Sequence, residues 1–128
     1  MKVMALDLSL NGTGIAICNA GGSNLKTHLV KTNKCKDHMN KIIKIRGQIF
    51  KRIRIHNIKK VYIEGQSYAS RGRATLSIAQ LHGVIMYCLM LKDISFECIP
   101  PTTVKKYISG KGNCKKSLIL KSLLNIIV

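Results

Sequence analysis

The first 32 residues leave little room for a helix. Residues 2–8, 13–18 and about 25–32 each read as a strand, and the segments between them, "SLNGT" and "NAGGSN", are turn sequences. The Asn11-Gly12 pair is the strongest short hairpin signal a sequence can carry, so the chain is expected to open as an antiparallel meander. The period then changes. Met39, Ile42, Ile43, Ile49, Phe50 and Ile53 recur at three- and four-residue steps, predicting a helix from Asp37 to about Arg54, with Lys41, Lys44, Lys51 and Arg52 largely off its apolar face. "KKVYIEG" is a β-branched and aromatic strand ended by Gly65, and "QSYASRGR" is a polar loop. A helix over about 74–91 follows, wetter at its start and apolar all round in its second half, which is therefore expected to be covered. "ISFECI" at 94–99 is another strand, stopped by Pro100 and Pro101. A short helix to about Ser109 and a last one from about Cys114 complete the pattern.

Three hairpin-linked strands followed by strand–helix alternation predict an α/β domain. Its core is a mixed sheet of about five strands, three antiparallel and then parallel, flanked by helices. At 128 residues and 46% apolar, the chain 1–128 is read as a single domain.

Charge narrows the function. The 22 lysines and arginines against five acidic residues give a formal +17, far beyond what solubility requires, and point to a polyanionic partner, nucleic acid ahead of anionic membrane. Such binding weakens steeply as salt rises. Eleven of those 22 cations fall in residues 31–60, either as a DNA-facing surface or as an ordinary solvated helix face. The longest apolar run, "VIMYCLML" at 84–91, is too short to span a bilayer, and no signal-peptide cleavage pattern follows Met1, so a cytoplasmic protein is expected. Cys18, Cys35, Cys88, Cys98 and Cys114 are an odd set without paired spacing, which argues against a disulfide framework. Cys35 and His38 have a two-residue gap, but no second pair with ligand spacing accompanies them, which argues against zinc.

Two of the five acids stand where acids are costly. Asp7 lies in "MALDLSL" and Glu64 in "VYIEG", both inside apolar strands. If the first and fourth strands are neighbours, the two carboxylates project side by side in a partly desolvated place, where each repels the other and loses hydration. A divalent cation removes both penalties. Hard oxygen ligands with open positions suit Mg²⁺, with Mn²⁺ as substitute, and a pair of such ions is the recurring device for in-line attack on a phosphodiester. The alternative is that each acid is an isolated strand-end residue, hydrogen-bonded to backbone or paired with a lysine.

Three stretches are familiar together. "ALDLSLNGTGIAI" resembles the first strand pair of the RuvC-like Holliday-junction resolvases of the RNase H superfamily, and "VYIEGQSYASRGRATLSIAQLHGVI" resembles their second acidic motif with its helix. "PPTTVKKYISGKGNCKKSLI" resembles their lysine-bearing segment after the fifth strand, and the bacteriophage branch is the nearest in character. The likeness covers about residues 1–125. It implies an RNase H-like fold, a homodimer acting on branched double-stranded DNA, and Asp7 and Glu64 as metal-binding catalytic carboxylates. It also implies Lys105 and Lys116 as basic residues near the scissile phosphate, with Gly110 and Gly112 admitting backbone amides to it. Arg71 and Arg73 are expected at the DNA, and Lys111 and Lys115 as general backbone contacts or solvated lysines. Tyr68 is expected either to stack on an unpaired base or to pack on the domain, the family often having its aromatic residue where this chain has Ser67. The apolar half of helix 74–91 is expected to be a dimer interface or plain core.

One departure matters. The family completes its site with two further acids on a C-terminal helix, and no Asp or Glu follows Glu97 here. The expectation is thus a truncated domain lacking that helix, with an apolar patch around "LLNIIV". The function expected first is metal-dependent resolution of four-way junctions; the alternative is a junction-binding module with partial or no catalysis. A nucleotide-binding protein of the related actin-like ATPase fold is a third possibility, without a visible second phosphate-binding hairpin.

Overall fold

The computed structural model describes residues 1–66 and 72–101, the side chain of Ala74 apart. Strands β1 (Lys2–Asp7), β2 (Gly12–Asn19) and β3 (Lys26–Lys31) are followed by helix α1 (His38–His56), strand β4 (Lys60–Glu64), helix α2 (Arg73–Leu91) and strand β5 (Ser95–Ile99). They form one five-stranded sheet in the order β3-β2-β1-β4-β5. The β1–β2 and β2–β3 pairs are antiparallel, and β1–β4 and β4–β5 are parallel, as the meander followed by alternation requires. The short helix and the last helix expected after Pro101 lie outside the described residues.

Alternation along the strands separates two faces. Met4 pairs with Ile17 and Val61, and Leu6 with Ile15 and Ile63, so these six side chains share a face. All six are buried, and they form one core cluster with Ile42, Ile45 and Ile49 of α1 and Leu81, Ile85 and Leu89 of α2. Both helices therefore cover this face. The apolar face of α1 is rotated from the expected one: Ile45 is fully buried, whereas Met39 is 57% and Ile43 is 61% exposed. Ile43 stands roughly 100° around the helix from Ile42, beyond the arc that meets the sheet. Met39 lies in the first turn.

The second half of α2 is buried along one stripe. Leu81, Ile85 and Leu89 recur at four-residue steps and are fully buried, whereas Tyr87, Met90 and Leu91 are exposed.

The connections show why the elements stop where they do. Both helices are followed by a left-handed residue, one place beyond α1 (Asn57, φ 51°) and two places beyond α2 (Asp93, φ 54°, after Lys92). Each then closes a six-residue loop back onto the helix, Ile58 N–H donating to Ile53 O at 2.9 Å and Ile94 N–H to Leu89 O at 3.0 Å. Ile58 and Ile94 are buried by that turn and lead directly into β4 and β5. Asn and Asp tolerate this conformation better than branched residues. At its other end, α1 is capped by Asp37, whose carboxylate accepts from Asn40 N–H at 2.8 Å.

The β1–β2 connection differs from the one expected of an Asn-Gly hairpin. Neither Asn11 nor Gly12 has positive φ, and Gly12 already belongs to β2. The loop is closed instead by a buried threonine: Thr13 Oγ1 donates to Ser9 O at 2.6 Å and accepts from Ser9 N–H at 3.1 Å. Thr32, also fully buried, donates its hydroxyl to Leu10 O, and Lys41 Nζ donates to Asn11 Oδ1 at 2.6 Å. The segment after Asp7 is thus held from both sides.

Candidate active site

Asp7 and Glu64 are the last residues of β1 and β4. The parallel register runs Val3–Lys60, Met4–Val61, Ala5–Tyr62 and Leu6–Ile63, and its next step sets Asp7 beside Glu64. Adjacent strands lie about 4.8 Å apart and paired residues share a face, so the two carboxylates leave the sheet together, at the C-terminal edge of its parallel half. That face is the one opposite the Met4, Leu6, Val61 and Ile63 side chains that carry the core. Both acids are half-buried.

The remaining acids have structural duties elsewhere. Asp37 caps α1, Asp93 forms the left-handed turn after α2, and Glu97 sits 3.9 Å from Lys60 in a largely exposed ion pair of little energetic weight.

The chain immediately beyond each carboxylate is constrained. After Asp7 comes the loop locked by Thr13 and Thr32. After Glu64, Gly65 N–H donates to Ile99 O at 2.7 Å, and a Cβ at Gly65 would stand 3.2 Å from that same oxygen, so the absence of a side chain lets β4 close on the end of β5. Gln66 Nε2 donates to Thr75 O at 2.8 Å, tying the exit of β4 to the first turn of α2.

A residue that the sequence did not single out lies within electrostatic reach of this strand end, although α2 packs on the other face of the sheet. His82 on α2 is buried, only 7% exposed, and its pKa is lowered from the ordinary histidine value, chiefly by burial; the negative charge of Asp7 pulls it the other way without overcoming it. His82 thus lies within the electrostatic reach of Asp7, with burial outweighing the carboxylate's pull. The signal for it was present: it is the one polar side chain set beside the Leu81–Ile85–Leu89 stripe, in a stretch otherwise read for its apolarity.

Of the other expected site residues, Arg73 is the first residue of α2 and exposed. Tyr68, Arg71, Lys105, Lys111, Lys115 and Lys116 lie outside the described residues. Among the described residues no three His, Cys, Asp or Glu side chains converge on one point, Cys35 and His38 included. Two hard carboxylate oxygens on neighbouring strand ends are nevertheless a donor set that fits a divalent cation such as Mg²⁺ better than a soft metal.

A β3-β2-β1-β4-β5 sheet with carboxylates closing its adjacent parallel strands β1 and β4 defines an RNase H-like protein. The chain belongs to the RuvC family: the profile described as "Crossover junction endodeoxyribonuclease RuvC" matches residues 3–127. It is 27% identical over 131 residues to a crossover junction endodeoxyribonuclease RuvC of Ehrlichia chaffeensis, covering 98% of this chain and 84% of that protein. Its fold is similar to that of Thermus thermophilus RuvC in complex with a Holliday junction substrate, with TM-score 0.80 at 12% identity over 99% of this chain and 93% of that one. It is also similar to the yeast mitochondrial Holliday junction resolvase, with TM-score 0.59 at 13% identity over 98% and 79% of the two chains.

Proposed function

We propose that this chain is an endonuclease that resolves four-way junctions or other branched DNA by metal-dependent phosphodiester hydrolysis. The observation that carries the reading is the placing of Asp7 and Glu64 side by side at the ends of β1 and β4, in a chain of formal charge +17 whose other described acids are occupied structurally. Membership of the RuvC family supports the substrate class.

In this reading Asp7 and Glu64 hold Mg²⁺, with Mn²⁺ as substitute, and the bound cation supplies charge neutralisation and an activated water. The protein's own contribution is rigidity. Thr13 fixes the turn after Asp7, Gly65 fixes the turn after Glu64, and buried His82, whose pKa burial lowers, lies within electrostatic reach of Asp7. Arg73, and by family resemblance Arg71 and Tyr68, bind the DNA; Lys105 and Lys116 face the scissile phosphate, and Lys111 and Lys115 contact the backbone. Two active sites acting on opposed strands require a homodimer. Tyr87, Met90 and Leu91, which α2 leaves 64%, 67% and 66% exposed, are the surface for it, next to Gly83, where a partner side chain meets no Cβ.

A nicking assay tests the reading, with a four-way junction and a linear duplex of the same sequence in Mg²⁺. Wild type is expected to cut the junction selectively, and Asp7→Asn and Glu64→Gln to lose that cutting while still binding. Identical activity of wild type and Asp7→Asn sinks the catalytic assignment.

A second reading follows from the described residues, where no third His, Cys, Asp or Glu joins Asp7 and Glu64. In it, the chain recognises junctions with little or no hydrolysis, because two carboxylates supply half the ligands of a two-metal site. Tight, salt-sensitive junction binding with no nicking in Mn²⁺ distinguishes it from the first.

A further inference from the structure

We infer that this domain carries a second nucleic-acid contact, a basic groove at the edge of the sheet opposite Asp7 and Glu64 that grips a phosphate backbone. The groove has a volume of about 500 Å³ and lies where α1 and α2 end and their chains turn into β4 and β5. Arg46, Lys51, Arg54, Lys59 and Lys92 line it, all exposed, over an apolar floor that includes Phe50. No carboxylate lines it. No ion pair joins any of the five to a described carboxylate: Glu97 is matched to Lys60, Asp37 caps α1, and Asp93, though next to Lys92, is not among the lining residues.

The groove is remote from the carboxylates. Lys59 precedes β4 and Glu64 ends it, so the two loci are separated by the length of the strand, roughly 16 Å at about 3.3 Å per residue. The phosphates seated here are therefore not those at Asp7 and Glu64.

Five unneutralised cations so close together repel one another, and the fold holds at least one of them in place. Arg46 Nε donates to Cys88 Sγ at 3.3 Å and its guanidinium lies 5.3 Å from the centre of the Phe50 ring, so α2 and the helix's own aromatic residue orient it. Arg46 and Arg54 are eight residues apart on α1, about 12 Å along its axis, with Lys51 between them. Successive phosphates of one strand rise ~3.4 Å along the duplex axis and also wind around it, so they lie farther apart than that and this row reaches about two of them. Regularly repeated anions on a stiff strand match such a row better than the irregular charges of an acidic peptide. Arginine and lysine together supply the fork-shaped and point-like donors that phosphate oxygens accept from. The inference concerns binding and does not depend on the catalytic reading.

Lysine acetylation footprinting of the wild-type protein with a linear duplex tests it directly. Saturating duplex is expected to protect Lys51, Lys59 and Lys92 at least threefold and to leave Lys26, on β3, reactive. In parallel, Lys51→Glu/Arg54→Glu is expected to weaken duplex affinity tenfold or more and to lower the slope of log affinity against log salt by about two. Lys26→Glu/Lys31→Glu, with the same change of net charge on the edge strand, is expected to weaken it less than threefold. Junction nicking by the first variant at saturating DNA stays at the wild-type rate if wild type nicks at all, so loss of the groove and failure of the nuclease reading are separable. Unchanged reactivity of the groove lysines, equal weakening by both variants, or protection by a poly-glutamate peptide but not by duplex overturns the inference. If Lys51→Glu/Arg54→Glu does not fold, the footprint on wild type decides alone.

Discussion

Buried His82 sits within the field of Asp7, and burial holds its pKa below the ordinary histidine value in spite of that carboxylate. Asp7→Asn removes the influence that raises the imidazole's pKa, so the midpoint of the His82 ring titration, followed by NMR, is expected to move lower still. An unmoved or raised midpoint contradicts the proximity of the two residues. The readout needs neither metal nor DNA.

The same residue predicts how stability depends on pH. His82 has a folded-state pKa below its unfolded value, so between the two the unfolded chain binds more protons, and stability is lost as pH falls through about 6.5 and below. His28 and His56 are shifted in the same direction, by burial first and then by neighbouring cations. Thermal melts from pH 7.5 to pH 5 are expected to show Tm falling in acid. His82→Gln is expected to flatten that fall without abolishing it.

The rotated face of α1 is testable by paired substitutions. Ile45 and Ile49 are fully buried, and truncating either to alanine is expected to cost about 2–5 kcal/mol in urea unfolding. Ile43→Ala, at a 61% exposed position, is expected to change stability by no more than about 0.5 kcal/mol. Equal costs at Ile43 and Ile45 refute the observed packing.

Thr13→Val keeps the shape of the side chain but removes the hydroxyl that both donates to and accepts from Ser9. With Thr13 fully buried, leaving Ser9 unpaired is expected to cost about 1–3 kcal/mol. Amide exchange should quicken across residues 8–12, directly after Asp7. Unchanged exchange there shows that Thr13 does not hold the turn.

Gly65→Ala places a methyl group 3.2 Å from the backbone oxygen of Ile99, which must then give way. A destabilisation on the order of 1–3 kcal/mol is expected from the overpacking. Weaker junction nicking should accompany it, because Glu64 is the adjacent residue. The nicking loss should exceed the loss of DNA binding, since Gly65 serves the carboxylate and not the surface.

Local pattern carried much of this molecule. The order β-β-β-α-β-α-β follows from periods of two and then 3.6, signals confined to a few neighbouring residues, and the described element boundaries fall within two residues of those expected. The improbable positions of Asp7 and Glu64 were equally legible, because a charge inside an apolar strand is anomalous whatever surrounds it. Other features depended on partners distant in the chain. Asn11-Gly12 forms no positive-φ turn because Thr13 and Thr32 close the loop instead, and Ile45 rather than Ile43 faces inward because of where the sheet meets α1. His82 reads as one polar residue in an apolar helix until α2 is laid against the sheet near Asp7. The residues themselves determined which elements form and where the acids stand. That β1 and β4 lie side by side, so that Asp7 and Glu64 share one face, was decided only by tertiary pairing across more than fifty residues of intervening chain, where register is set by non-local hydrogen bonds and by the burial of Met4, Leu6, Val61 and Ile63 together.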